Sequence, residues 1–349
     1  MDLELLKNTL IKLFHRGFDK EKIQRLLNYL VNAEEKELQQ IHPNFLAIKL
    51  DFSFEETLRL VTYGVLDGLF EMEWQVSCPQ CHALNFGTAN LKNLRLHEHC
   101  TVCGTDYEPE ADRNIQVVLA LHPRFFNEIL KKPEGKMLKI DQRVQPLTVL
   151  DLMGYPAFRE HFTDQVPRIN QGIKIRNVSI MFTDLRNSTQ MYEKIGDVQA
   201  FLLVREHFDI LFEAIIKKHG GVIKTIGDAV MAVFKDARHA LEAALEIKKK
   251  VDLFLKSRLQ NFSTGIKIGL HVGPAVVVNL NDSFDLFGTT VNKAARIVSF
   301  AQAQSIVLSQ DFFNQAKNFL QQYASEPMTG KTVELKGLDS RQNLYFLKI

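Results

Sequence analysis

Two aspartates occupy positions that suit phosphate chemistry. Asp184 ends an apolar, strand-like run, VSIMFTD, and the residues after it begin a helix. Backbone amides at a helix N-terminus attract phosphate, and a neighbouring carboxylate can hold the magnesium that accompanies a triphosphate. Asp228 lies in a short turn between VIKTI and AVMAVF. An aspartate like Asp184 is often a simple helix cap, but two carboxylates meeting at one sheet end could bridge two metal ions for phosphoryl or nucleotidyl transfer.

The cysteines form a second candidate site. They occur as two C-x-x-C pairs separated by eighteen residues: Cys78, Cys81, Cys100 and Cys103. Such pairs converge as four thiolates around tetrahedral zinc, and Gly104 suits the tight turn after the second pair. A closed four-sulfur site leaves no open position for a substrate, so we expect one structural Zn²⁺ per chain. The alternative is four reduced thiols or a redox pair; His97 and His99 are close enough in sequence to compete as ligands.

Composition excludes several classes of protein. The chain has 349 residues, and this length predicts two or slightly more domains. Because 46% of the residues are hydrophobic and 24% are charged, the chain is not disordered as a whole. No apolar run reaches the roughly 18–20 residues of a spanning helix, and the N-terminus lacks the pattern of a signal peptide. We therefore expect a cytoplasmic protein that does not enter a membrane. A net charge of +2 does not indicate a general binder of phosphate backbones, although zinc ribbons recur in nucleic-acid binders.

The pattern along the chain predicts four segments. Residues 1–70 carry apolar side chains at helical spacing, and residues 71–133 contain the cysteines between strand-like runs. Residues 134–172 have no sustained period and are interpreted as a partly ordered linker, in which AFREHF forms a helical turn that packs on the segment after it. Residues 173–349 alternate strands and helices, with one long helix over 190–219. This predicts an α+β domain whose mixed sheet is covered by helices on one face.

Five motifs in the second half occur in a recognisable order and spacing. They are MFTDLRNST, GGVIKTIGDAVMAVF, KIGLHVGPA, FDLFGTTVNKAARI and ELKG. Residues 173–349 thus resemble the catalytic domain of class III nucleotidyl cyclases, which implies that family's ferredoxin-like α/β sandwich. The first half resembles, more loosely, a winged-helix-like module with a zinc ribbon that precedes such domains in some bacterial cyclases. That likeness rests on HPNFLAIKLDF, GLFEMEWQVSCPQC and the cysteine turns.

The resemblance implies a metal and phosphate half-site. Asp184 and Asp228 match the aspartates that hold two Mg²⁺ or Mn²⁺ ions, and Leu185 would add its carbonyl oxygen. Backbone amides of the next four residues would hold the phosphates: Arg186, Asn187, Ser188 and Thr189. Asn187 replaces the glycine usual in relatives. Because asparagine tolerates left-handed backbone geometry, we expect the turn to survive.

The resemblance also implies a nucleoside half-site. Lys224 and Asp285 match the pair that reads the base, and Asn292 matches the residue that orients the ribose. Arg296 matches the arginine that stabilises the charge developing during transfer, and Lys336 matches the lysine on the terminal phosphates. In the family the two half-sites come from different protomers, which implies a homodimer with two composite sites. Both sets of residues are present in this sequence.

The base-reading pair favours ATP as the substrate. Lysine only donates hydrogen bonds and an ionised aspartate only accepts them, which suits N1 and the 6-amino group of adenine. Guanine and uracil present the reverse polarity, whereas cytosine resembles adenine. We therefore expect an adenylate cyclase that forms 3′,5′-cyclic AMP and pyrophosphate, with a regulatory N-terminal module. The alternatives are a cyclase acting on a pyrimidine nucleotide and a zinc-ribbon DNA-binding protein that senses nucleotides. His219 and His271 are expected to be structural.

Overall fold

The chain divides into two units. The computed structural model describes residues 1–126, 144–259, 264–302, 305–323, 328–335, 337 and 341–348. Unit 1 comprises Met1–Ile173 with Asn279–Phe284, and unit 2 comprises Lys174–Val278 with Asp285–Ile349. Among the described residues, no helix combines the length and apolarity that a membrane crossing requires.

Unit 1 begins with amphipathic helices. They are α1 (Leu3–His15), α2 (Lys20–Asn32), α3 (Glu35–Leu38), α4 (Pro43–Leu50) and α5 (Phe54–Leu66). Asp2 and Asp19 accept backbone N–H bonds at the starts of α1 and α2, and Ser53 forms a reciprocal capping box with Glu56 at the start of α5. Leu6, Leu10, Leu26 and Leu30 are buried, whereas Ile11 and Phe14 of α1 are exposed. The helices predicted for this region are present, but their apolar residues do not all face the core.

Short strands follow the helices of unit 1. They are β1 (Phe70–Ser77), β2 (Leu84–Thr88), β3 (Glu98–His99), β4 (Asp106–Tyr107) and β5 (Ile115–Leu121). An antiparallel sheet has the order β2-β1-β5, and β3 pairs with β4 separately. The cysteine turns lie in the chain between β1 and β5. The segment expected to bind zinc is thus bracketed by two paired strands.

The segment interpreted as a linker is packed into unit 1 in its described part, so that prediction was wrong there. Helices α6 (Val149–Met153) and α7 (Pro156–His161) lie within it. Phe158 is fully buried with its ring edge-on to that of Trp74, and Trp74 Nε1 donates to Gln165 Oε1 at 2.8 Å. The helix formed by AFREHF therefore packs on β1, which precedes it. Residues 134–143 lie outside the described part of the chain.

Unit 2 alternates strands and helices. Its strands are β6 (Ile173–Leu185), β7 (Gly220–Ile226), β8 (Ala229–Phe234), β9 (Ile266–Leu280), β10 (Ser283–Phe287), β11 (Ser305–Ser309), β12 (Thr329–Glu334) and β13 (Arg341–Lys348). Its helices are α8 (Ser188–Ile195), α9 (Asp197–Lys217), α10 (Ala237–Arg258), α11 (Thr289–Ile297) and α12 (Gln310–Leu320). The single helix predicted over 190–219 is interrupted at Gly196, whose φ of 79° no helix permits.

The sheet of unit 2 is mixed, as predicted. The described strands follow the order β12-β13-β11-β9-β6-β8-β7, with β10 paired to β9. Strands β11 and β9 run parallel, whereas β6 and β7 are both antiparallel to β8. Ile306 and Leu308 share one core with α9, α10 and α12, while Val307 between them packs with Ile297 of α11. Because successive strand residues face opposite sides, α11 covers the other face, and the prediction of helices on one face is incomplete.

Candidate active site

The two aspartates lie at the same end of adjacent strands. Asp184 is the penultimate residue of β6, and Thr183 before it pairs with Val230 of β8. Asp228 occupies the two-residue turn between β7 and β8, where Gly227 takes a φ of 62°. Burial raises the pKa of Asp228 and the charge of Asp184 adds to the rise, while hydrogen bonds from the Ser188 side chain and the Leu185 backbone oppose it. The predicted convergence of these residues is therefore seen in the fold.

One carboxylate oxygen of this pair lacks a partner. Asp228 Oδ2 is buried without a hydrogen bond among the described residues. A buried, charged acceptor is costly unless a donor or cation meets it, and carboxylate oxygens are the ligands that Mg²⁺ and Mn²⁺ prefer. The residues present thus fit a divalent cation, and the carbonyl of Leu185, which follows Asp184 in the chain, is a further candidate ligand.

Lys267 contacts the site, although no role was predicted for this residue from the sequence. Its Nζ lies 2.8 Å from Asp184 Oδ2, and β9 carries it between the buried residues Ile266 and Ile268. The sequence carried one signal of this role: Lys267, the first residue of the KIGLHVGPA motif, is a single lysine in a largely apolar strand. In the structure its ammonium compensates the charge of Asp184.

The turn after Asp184 has the left-handed geometry expected for it. Asn187 has φ of 58° and ψ of 30°, and its carbonyl accepts the Met191 N–H at 3.0 Å as α8 begins. The Arg186 N–H, however, donates to the Gly265 carbonyl at 2.9 Å. This corrects the expectation that the Arg186 amide is available to phosphate, because the residue before β9 already accepts its hydrogen. The amides of Asn187, Ser188 and Thr189 remain candidates.

The expected base-reading pair is in direct contact. Lys224 Nζ on β7 lies 2.6 Å from Asp285 Oδ2 on β10, and Asp285 Oδ1 accepts the Leu286 N–H at 2.8 Å. Asp285 is buried, while the Lys224 side chain is 38% exposed. The pair thus offers one donor-only and one acceptor-only group side by side. Solvent reaches the lysine side chain but hardly reaches the aspartate.

Asn292 and Arg296 lie one turn apart on α11. Asn292 is exposed, and Arg296 is partly buried beside Gly337, where an added Cβ would come within 3.3 Å of its Nη2. Lys336, the expected ligand of the terminal phosphates, lies outside the described residues. Within the part of the chain that the structure describes, no hydrogen bond or ion pair joins Asn292, Arg296 or the Lys224–Asp285 pair to the two aspartates.

The four cysteine sulfurs converge as predicted. They all lie within 4.8 Å of one another, with 3.6 Å from Cys78 to Cys103 and 3.5 Å from Cys81 to Cys100. Tetrahedral zinc with Zn–S bonds of about 2.3 Å would separate its sulfurs by about 3.8 Å, so the cluster fits that ion. Hydrogen bonding between Cys103 and the side chain and backbone of Thr105 lowers the pKa of Cys103 to about 6, which favours the ligating thiolate.

The nearby histidines have other partners. His99 Nδ1 lies 2.8 Å from Asp106, and His97 lies 3.6 Å from Glu108. Gly104 takes a φ of 73°, as its turn requires, and His82 takes 58° at the same place after the first pair. The cluster in the described chain therefore consists of cysteines alone, as expected.

A family model decides the identity of the second half. The model of the adenylate and guanylate cyclase catalytic domain matches residues 171–349, just over half of the chain. The chain belongs to this cyclase family. A second model, for a family of unknown function (DUF5939), matches residues 6–141, so the likeness of this region to a winged-helix-like module stays a prediction.

Similar proteins include cyclases of both purine nucleotides. An adenylate cyclase of Anabaena cylindrica is 28% identical over 187 residues, which are 50% of this cyclase-family chain and 37% of that protein. Human retinal guanylyl cyclase 2 is 31% identical over 182 residues, 49% of this chain and 16% of its own length. The structure of the adenylyl cyclase CyaB from P. aeruginosa aligns with a TM-score of 0.45 at 20% identity, covering 51% of this chain and 95% of that one. The chain therefore covers less than half the length of either full-length relative.

Proposed function

We propose that residues 173–349 convert ATP to 3′,5′-cyclic AMP and pyrophosphate at composite sites of a homodimer. The observation that carries the choice of ATP is the contact between Lys224 and Asp285. Lysine can donate to adenine N1 while aspartate accepts from the 6-amino group. Guanine would leave both partners unpaired, and such a mismatch costs roughly 10⁴-fold in discrimination.

The reaction requires mainly positioning and charge from the chain. Two divalent ions held by Asp184 and Asp228 would supply charge neutralisation and make the ribose 3′-hydroxyl more acidic. The amides of Asn187, Ser188 and Thr189 suit the phosphates, since they open α8. Lys267, whose Nζ lies 2.8 Å from Asp184 Oδ2, would add positive charge beside the same phosphates. Arg296 then stabilises the negative charge that grows as pyrophosphate leaves.

The dimer is supported by exposed apolar side chains near both half-sites. Phe201 and Val198 on α9 are largely exposed, as is Ile226 next to the turn that holds Asp228. Phe287, two residues after Asp285, is 69% exposed. Large apolar residues exposed together mark interaction surfaces. A second protomer on these surfaces would bring Arg296 and Asn292 to the aspartates that they do not contact within one chain.

Cytosine is the one other base that the pair accommodates, because it also presents an amino donor beside a ring acceptor. A cyclase of CTP is thus the second candidate. The test is incubation of the purified full chain with ATP and, separately, CTP, with Mg²⁺ or Mn²⁺, and identification of products by mass. Cyclic AMP with stoichiometric pyrophosphate supports the proposal, and cyclic CMP in preference overturns the choice of base.

A further inference from the structure

Unit 1 contains a cavity that is lined by none of the residues assigned to the nucleotide site. Its volume is about 600 Å³, within the usual range for small-molecule sites. Its lining includes Lys92, Arg168, Gln171, Asn279 and Asp282. These residues come from three separate stretches of sequence, so the cavity is a product of the fold of the unit.

Two cations face this cavity without a carboxylate partner in the described part of the chain: Lys92 and Arg168. Gln171 connects the backbone segments that carry these two residues. Its N–H donates to the Arg168 carbonyl at 2.9 Å, and its Nε2 donates to the Leu94 carbonyl, two residues after Lys92, at 2.7 Å. The ammonium of Lys92 and the guanidinium of Arg168 together provide the positive charge and the paired N–H donors that bind a phosphate group.

Acceptors line the same cavity. Asn281 and Asp282 have φ of 54° and 55° and form the two-residue turn between β9 and β10, with no ion pair on Asp282 among the described residues. Asn279 is buried; its Nδ2 donates to the Pro167 carbonyl at 3.0 Å, and its Oδ1 has no donor in the described chain. An acceptor left unsatisfied in a cavity wall is where a donor from a ligand or a water lowers the free energy.

We propose that this cavity binds a small organic phosphate that also carries hydroxyl or amino donors. The phosphate lies against Lys92 and Arg168, and the donors meet Asp282 and Asn279. Asp282 lies in the turn just before β10, and Asp285 lies in β10 three residues later. A ligand bound in the cavity therefore acts on the contact between Asp285 and Lys224. This regulatory part rests on the proposed cyclase function, whereas binding itself does not.

The binding test uses calorimetry on the full chain, with ribose 5-phosphate and inorganic phosphate as probes. We expect saturable binding of ribose 5-phosphate that weakens about tenfold or more in Lys92→Gln/Arg168→Gln. The matched control is Lys7→Gln/Lys20→Gln, which removes two exposed lysines of unit 1 and should bind normally. Equal thermal midpoints and zinc contents show that the variants are folded. No saturation by either probe up to about 10 mM, or equal affinity in the cavity variant, overturns the site.

A second variant tests the acceptors. Asp282→Asn keeps a residue that tolerates the left-handed turn, so the fold is preserved. We expect weaker binding of ribose 5-phosphate and unchanged or tighter binding of inorganic phosphate, because only the former carries donors for Asp282. Parallel loss of both probes contradicts this assignment.

The regulatory part is tested by turnover. Ribose 5-phosphate should change kcat or the preference for ATP over CTP in the wild type and not in Lys92→Gln/Arg168→Gln. An equal response of both proteins excludes regulation through this cavity. Because calorimetry needs no turnover, loss of the proposed cyclase activity would leave the binding result standing.

Discussion

The ammonium of Lys224 lies 2.6 Å from the carboxylate of Asp285, although the two residues are 61 positions apart in the chain. Strand β7 supplies the lysine and β10 supplies the aspartate, so only the folded sheet creates the pair. The polarity that we propose reads adenine can be inverted without removing the ion pair.

Exchanging the two residues should invert base preference. In Lys224→Glu/Asp285→Lys we expect kcat/KM for ATP to fall about 10²-fold or more and GTP to become the better substrate, because donor and acceptor change places. The control exchange is Lys250→Glu/Glu213→Lys, an ion pair of 3.0 Å between α10 and α9. Unchanged ATP turnover in the first variant would show that the pair does not read the base.

Neutralising Asp228 should separate activity from stability. Because burial raises the pKa of this carboxyl, its charge is costly in the metal-free fold, and Asp228→Asn should keep or raise the thermal midpoint. The same variant should lose about 10²-fold or more of its turnover and the stabilisation that Mn²⁺ gives the wild type. Asp209→Asn, an exposed aspartate on α9, is the control. Undiminished stabilisation by Mn²⁺ would contradict a metal role for Asp228.

Mixing two inactive proteins should restore activity. If composite sites form, Asp228→Ala and Arg296→Ala chains that exchange randomly leave about a quarter of all sites intact. The measurement is turnover after mixing, with subunit exchange verified independently. Absence of recovery despite exchange would mean that one chain supplies both half-sites.

Zinc should be present at about one ion per chain and should stabilise unit 1. Cys81→Ser removes one of the four converging sulfurs, and we expect loss of zinc together with a midpoint at least about 5 °C lower. Thr101→Ser, in the exposed second cysteine turn, should retain both. A folded wild-type protein without zinc, measured by elemental analysis, would disprove the metal site.

The placement of Asp184 and Asp228 was predictable because strand ends and a glycine turn are local signals. The convergence of the cysteines was predictable for the same reason, since each C-x-x-C turn aims its own sulfurs. The contact of Lys224 with Asp285 required the family pattern, because no local rule joins β7 to β10.

Other features lay beyond local patterns. Lys267 was missed because its meaning depends on Asp184 across the sheet. The break at Gly196 was missed because a single glycine is tolerated in many helices. Val149, Leu150 and Phe158 were assigned to a linker since their spacing has no period, yet burial against unit 1 orders them. Tertiary packing decided these cases.

The chain is proposed to cyclise ATP in preference to other nucleotides. The most direct measurement is turnover of ATP, GTP, CTP and UTP, each with Mg²⁺ and with Mn²⁺, with products identified by mass. We predict cyclic AMP and pyrophosphate, with kcat/KM for ATP exceeding that for GTP and UTP by about 10²-fold or more. Cyclic GMP or a cyclic pyrimidine nucleotide as the favoured product, or no product with either metal, would contradict the claim.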